Sequence, residues 1–575
     1  MYKKSYFWPL VALCVLSLFL FLGQTYFHTR GEPREAVVAL SMLQQGNWVL
    51  PVNNGVELAF KPPFFHWCIA AVSSVAGAVN EYTARVPSAL ALSAMVLVGY
   101  VFYAKRRGAE VAFLAALLTL TNFEVHRAGV ACRVDMVLTA MMVIALYQFY
   151  KWGEKGLKGI PWIGILCLSA AALTKGPVGL ALPCVVPAVF LWIRGTKFVR
   201  VFFSFLMVAV LACILPAVWY WAAYQQGGER FLGLVMEENV YRLMGKMTYA
   251  SHENPAWYNV VTVVAGYVPY TLLVLISLFF LHYRKPALRP QVWWSRFKDY
   301  IRKMDDVRLY SLLAIVIIFV FYCIPKSKRS VYLLPIYPFI AYFLAEFVIF
   351  LRHRHLNALR IFGSTLSVLA VLLLSVFGAV RMGWIPESLF SGRHAAENVA
   401  YMRALENVPL AFLSVVLVLL PVGAAVWYFR TQRRNAADNG IIYACIGVVF
   451  TIFMALDGFY QPVVLNVKSD KAVAGEVRRI VPEGRLYSFR TDVVPNNRMH
   501  PFTVNFYLGD RMVPFDCFDP GKEGYVFMGE DMEEAFVERY GEEYALEDVY
   551  DSRHRSCDDK RYNHLYRFRR LEAVE

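Results

Sequence analysis

The stretch TARVPSALALSAMVLVGYVFYAKRR, Thr83 to Arg107, holds an apolar block of membrane-crossing length that closes on three cations. About 20 apolar residues cross a hydrocarbon core of ~30 Å, and Lys and Arg collect in the loops on the inner side. The pattern predicts a helix over Thr83–Ala104 that runs inward and leaves Lys105-Arg106-Arg107 in the cytoplasm. That direction decides what precedes it. Lys3 and Lys4 stand before the apolar run Phe7–Phe27 and place the N-terminus inside, so residues 28–82 lie outside. The apolar stretch Pro62–Val79 must then lie along the interface instead of crossing. No small-residue cleavage site follows Phe7–Phe27, which reads as an uncleaved first span.

Working outward, further spans are predicted at about 109–124, 137–152, 159–174, 177–194, 200–222, 259–282, 308–324, 333–351, 356–381, 408–429 and 439–458. The inner loops hold the basic residues, and the largest, 283–308, carries eight Lys or Arg. The fold class expected is therefore a polytopic all-α membrane protein of about 13 transmembrane helices, residues 1–458. Its outer-face loops are 28–82 and 223–258. Residues 459–575 lack apolar blocks and read as a small C-terminal extracytoplasmic α/β domain. Candidate strands there are Arg485–Phe489, Tyr525–Met528 and Leu565–Phe568, and candidate helices are Lys471–Ile480 and Asp531–Tyr540.

Composition agrees. Of 575 residues, 58% are hydrophobic and only 18% charged, below the ~25% usual in soluble domains. The net charge of +15 sits in the inner loops, so it speaks for membrane orientation and against a nucleic-acid partner. The ten cysteines include no CxxC pair, which excludes a zinc ribbon; Cys517 and Cys557 fall in the tail and are able to pair in an oxidising space.

The outer side carries the chemistry. The segment Pro325-Lys326-Ser327-Lys328-Arg329-Ser330-Val331-Tyr332 puts three cations in a short outer loop, against the charge bias of every other loop, and points to an anionic ligand. In Gly31-Glu32-Pro33-Arg34-Glu35, Pro33 suits the first turn of a helix, with Glu32 and Glu35 at its positive end. Lys61 precedes Pro62-Pro63 at the start of the interfacial segment. Asp135, near Arg133, is an ionisable residue at the mouth of a span and a functional candidate by position. Arg242 and His252 lie in the long loop 223–258. No GxxxxGK[ST], strand-to-helix GxGxxG, HExxH or GxSxG is present, so neither a nucleotide-driven pump nor a nucleotide-using enzyme is expected.

In order and in outer location, GEPREAVVALSMLQQGNWVLP, KPPFFHW, ARVPSALAL, CRVDMVLTA, LTKGPVGLALP, HENPAWY and PKSKRSVYLLPIYP resemble the GT-C membrane glycosyltransferases of the ArnT and protein O-mannosyltransferase type. The resemblance runs over about residues 1–460. It implies the GT-C architecture and transfer of a sugar from a polyprenyl-phosphate (undecaprenyl-phosphate) carrier to a lipid A, glycan or protein acceptor. That chemistry would take place on the outer face of the bacterial cytoplasmic membrane. It further implies that Arg34, Lys61, Lys326, Lys328, Arg329 and Tyr332 hold the donor phosphate. Asp135 and Glu32 would be the catalytic acids, and Glu35, Arg242 and His252 further substrate contacts. The family's first loop usually opens Asp-Glu, where this chain has Gly31-Glu32. It also tends to Glu-Lys-Pro, where this chain has Phe60-Lys61-Pro62. The second departure removes a carboxylate that, with a histidine resembling His252, holds a metal in some members, so no cofactor or divalent metal is expected. The alternative reading, a transporter or flippase of an anionic amphiphile, predicts repeated halves with broken helices; the sequence has no internal repeat.

Overall fold

The computed structural model describes residues 4–241, 244, 253–282, 290–434, 439–491 and 501–571. Helices α1 (Lys4–Leu18), α2 (Gly31–Gln45), α3 (Phe64–Ala76), α4 (Glu81–Arg107) and α5 (Ala109–Leu120) form the first half of the membrane part. They are followed by α6 (Phe123–Gly129), α7 (Val134–Glu154), α8 (Trp162–Lys175), α9 (Val178–Ile193) and α10 (Phe198–Met236). The helix read from the deciding stretch begins where its chemistry allows. Asn80 accepts from the Thr83 N–H at 2.9 Å while Thr83 Oγ1 accepts from the Asn80 N–H at 2.9 Å, a reciprocal cap. Its last turn carries Lys105, Arg106 and Arg107, cations at the negative end of the helix dipole.

Those cations identify one end of the bundle. Arg106 pairs with Glu154 at the end of α7, Arg107 with Asp305 and Glu346, and Arg308 with Glu346. Loops that the charge pattern assigned to one side therefore meet in space. Among the described residues, eight helices are long and apolar enough to cross a membrane, and the bent pair Trp257–Gly266 and Tyr270–Leu278 makes a ninth. Helices α1, α3, α5, α8 and α9 are also apolar but shorter.

Two details correct the expected spans. The block 259–282 is not one straight helix: it bends by 102° at Pro269, which has no N–H for the helical ladder. The block 109–124 stops at Leu120, because the Asn122 side chain caps a new short helix, α6, by accepting from the Val125 N–H at 3.0 Å. The predicted loop residues Arg242 and His252 lie outside the described residues.

The last membrane helix continues through Val467, and the tail folds beyond it into a five-stranded sheet of order β4-β3-β5-β7-β6. The strands are β3 (Leu486–Ser488), β4 (Met512–Pro514), β5 (Glu523–Gly529), β6 (Tyr544–Arg555) and β7 (Tyr562–Arg570); β1 (Val52–Asn53) and β2 (Glu57–Leu58) form a small hairpin in the first outer loop. β3 pairs parallel with β4 and β5, while β7 runs antiparallel to β5 and β6. Alternation sorts the sheet's two faces. Leu486, Phe527 and Leu565 pack against Val473 and Val477 of helix Lys471–Ile480. Tyr487, Val526, Tyr566 and Phe568 pack on the other side with Phe536 of helix Glu533–Tyr540. Cys517 and Cys557 are separate free thiols.

The tail sits on the first outer loop. The Phe27 N–H donates to Tyr507 Oη at 3.1 Å, and Ser469 Oγ donates to the Phe27 carbonyl at 2.5 Å. Asp510 accepts from Ser41 Oγ and the Asn54 N–H, and Glu81 accepts from Tyr507 Oη and Lys471 Nζ.

Candidate active site

Opposite the Arg106–Glu154 end, the loops enclose a cavity of about 600 Å³. Its wall brings together Glu32 and Arg34 of α2, Arg85 of α4, His126 and Arg127 of α6, Arg133 and Asp135 at the start of α7, and Arg329. Sequence positions almost 300 apart thus converge on one volume, and the charge there is predominantly positive.

Each charged side chain has a definable task. Arg85 holds Glu32 through two bonds, Nε to Oε1 at 2.8 Å and Nη2 to Oε2 at 3.0 Å. The Cys132 N–H adds a third at 2.9 Å. Burial pushes the Glu32 carboxyl up, but the Arg85 charge and hydrogen bonds outweigh it and hold the group below its usual range. With both oxygens engaged, Glu32 lashes α2 to α4 and to the 131–133 turn. This departs from the expected role of proton acceptor.

On the next turn, Glu35 takes Arg34 Nη2 at 3.1 Å and His66 Nε2 at 2.9 Å. Burial pushes the Glu35 carboxyl up, yet Lys61, His66 and Arg34 together hold it well below the usual carboxylate range. Lys61 thus acts on the Glu35 cluster and does not line the cavity wall.

Asp135 is buried, and its Oδ1 lies 2.5 Å from Lys175 Nζ. The ammonium in turn lies 4.4 Å from the centre of the Tyr332 ring. The partner of Asp135 comes from the end of α8, 40 positions away, a contact that sequence distance concealed. The LTKGP stretch was visible as an outer segment; its partner was not.

Within the cationic loop the structure separates the members. Arg329 lines the cavity, Lys328 turns back to donate to the Pro325 carbonyl at 2.5 Å, and Lys326 is exposed. Tyr332 belongs to the Lys175 contact. Sequence reasoning missed Arg30, Arg85, Arg133 and Lys175. It also missed the pair His126 Nε2–Asp457 Oδ2, 2.5 Å apart across 331 residues. Among the described residues, one group has the donor types of a metal site: Asp470, Cys557 and Asp558 in the tail, with ligand atoms within 4.8 Å of one another. Hydrogen-bond donors already engage its carboxylates: Ser556 Oγ on Asp470, and the Thr503 N–H and hydroxyl on Asp558.

Comparison with known proteins agrees with this geometry. Residues 60–221 match the family model of dolichyl-phosphate-mannose-protein mannosyltransferase. An undecaprenyl phosphate-alpha-4-amino-4-deoxy-L-arabinose arabinosyl transferase of Shewanella sediminis is 25% identical over 389 residues, 66% of this chain and 66% of that protein. The corresponding transferase of Aeromonas salmonicida is 27% identical over 402 residues, 65% of this chain and 67% of that protein. The chain thus spans about two thirds of the length of these relatives. The crystal structure of ArnT from Cupriavidus metallidurans bound to undecaprenyl phosphate superposes with a TM-score of 0.70 at 18% identity, over 98% of both chains. By fold this chain is of the GT-C type, and in sequence it is similar to membrane glycosyltransferases that use polyprenyl-phosphate sugars.

Proposed function

We propose that the chain transfers a sugar from undecaprenyl phosphate, or a related polyprenyl phosphate, to an acceptor at the outer face of the bacterial cytoplasmic membrane. The acceptor is a lipid A, glycan or protein group. The N-terminus lies in the cytoplasm and the tail in the periplasm. The observation that carries the reading is the cavity where Arg34, Arg133 and Arg329 surround Asp135 at the end of the bundle away from the basic loops. An acceptor oxygen attacks the anomeric carbon; the bond from that carbon to the phosphate oxygen breaks, and its electron pair leaves on the polyprenyl phosphate. Fixed guanidinium groups stabilise the charge growing on that oxygen, an effect of about 2.7–4 kcal/mol per donor in comparable sites. The acceptor proton passes to the Asp135 carboxylate, which Lys175 orients. Arg34 and Arg329 bear on the donor phosphate, Lys61 acts with them through the Glu35 cluster, Lys326, Lys328 and Tyr332 shape the adjoining loop, and Glu32 and Glu35 hold the cations in place.

The test is reconstitution of the full chain in lipid with radiolabelled undecaprenyl-phosphate sugars and an extract of native membranes. Label moving onto an acceptor supports the transferase. Label that crosses the bilayer while still on its polyprenol overturns it in favour of a flippase.

A further inference from the structure

The cations at the cavity divide into two kinds. Arg34, Arg85, Arg127 and Lys175 each meet a carboxylate, on Glu35, Glu32, Glu124 and Asp135. The guanidinium groups of Arg30, Arg133 and Arg329 also line the cavity, and none of them makes a hydrogen bond or ion pair with another described residue. Like charges held close disfavour one another, and the Arg133 charge acts in this way on Arg329.

Arg133 is the most constrained of the three. Its backbone is fastened on both sides: the Cys132 N–H donates to Glu32, and Ser88 Oγ donates to the Arg133 carbonyl at 3.3 Å. From that anchor the side chain crosses the first turn of α2. A Cβ on Gly31 would stand 1.4 Å from Arg133 Nη1 and 2.6 Å from its Cζ. The guanidinium therefore occupies the space that any side chain at position 31 would fill. It also lies against the positive end of a helix dipole, where a cation is disfavoured. Burial and the nearby Arg133 charge lower the Arg329 pKa, despite Tyr332 and Asp135. An anion in the cavity relieves all of these terms together.

We infer that Arg133 is a phosphate-binding residue of this site, and that Gly31 is the position that admits it. The inference rests on the polyprenyl-phosphate reading above and adds to it a residue and the steric reason for its placement. A charged hydrogen bond of this kind changes binding by roughly 10- to 100-fold.

The experiment measures binding of undecaprenyl phosphate, with undecaprenol as the uncharged control, to the purified full chain and to R133A, R133K, G31A and G31A/R133A. The expected result is weaker undecaprenyl phosphate binding by R133A and G31A, about 10-fold or more, with undecaprenol binding unchanged and partial rescue in R133K. Because the clashing atom is the far end of a flexible side chain, G31A displaces the guanidinium without dismantling the fold, and G31A/R133A is then no weaker than R133A alone. Wild-type affinity in R133A overturns the assignment of Arg133, and additive losses in the double variant overturn the link to Gly31. Equal binding of undecaprenyl phosphate and undecaprenol by the wild type sinks the donor reading itself, and the assignment with it.

Discussion

At the scale of the residue, the site separates groups that react from groups that hold. Asp135 faces the cavity with one lysine contact, so Asp135→Asn should lower transfer by about 10²–10⁴-fold, the range for a lost general base, while thermal unfolding in detergent stays near wild type. Glu32 behaves differently. The Arg85 and Glu32 side chains are 4% and 8% exposed, and removing one partner strands a buried charge. Either Glu32→Ala or Arg85→Ala should destabilise by about 3–5 kcal/mol, and the double variant should be less destabilised than the sum, as read by thermal unfolding. Retention of wild-type stability by both single variants would contradict the positioning role.

At the scale of the element, the cavity wall depends on how closely α6 approaches α4. A Cβ at Gly129 would come within 2.3 Å of Leu92 Cδ2, so the two helices touch where residue 129 has no side chain. Gly129→Val should push α6 away, at a cost of about 1–3 kcal/mol for overpacking. It should also move His126 and the turn that carries Arg133, giving a donor KM raised more than kcat is lowered. Unchanged kinetics would mean that the α6 wall does not shape the site. The sheet of the tail teaches a different lesson. The apolar pattern located β3, β5 and β7 and the helix Lys471–Ile480, because each carries buried apolar residues. It did not locate β6, whose Tyr-Ala-Leu-Glu-Asp-Val-Tyr-Asp-Ser-Arg-His-Arg is mostly exposed. An edge strand takes its conformation from hydrogen bonds to its neighbour, β7, and carries little apolar pattern of its own.

At the scale of the whole molecule, the tail is fastened over the first outer loop by buried acids. Burial and the neighbouring Asp470 charge push the Asp558 carboxyl up to about 8, among Asp559 paired with Arg490, the Cys557 thiol, and His554 facing Asp470. Asp510, which bonds Ser41 and Asn54, is likewise raised by burial. An acid whose pKa is higher in the docked state than in the free chain holds a proton that undocking releases. The stabilisation is complete below the ordinary carboxylate range near 4 and is lost as pH rises through about 8. Hydrogen-exchange protection of the tail around residues 501–510, where Thr503 donates to Asp558, should therefore fall between pH 5 and pH 8, and Asp558→Asn should flatten the profile. A protection that rises with pH would refute the argument.

The residue pattern alone determined the polytopic helical character, the end of the bundle at which the basic loops meet, and the presence of a small α/β tail. These follow from local quantities: apolar length, loop charge and period-two alternation act over tens of residues and are written along the chain. It also brought forward Asp135, Arg34 and Arg329 as candidates, and the structure places all three on the wall of one cavity. The partnerships were decided by the tertiary structure. Lys175 reaches Asp135 across 40 positions, His126 reaches Asp457 across 331, and Arg133 lies over Gly31 from about a hundred residues away. Helix packing brings those groups together, and no spacing in the sequence encodes which charge will find an acid and which will be left facing the cavity.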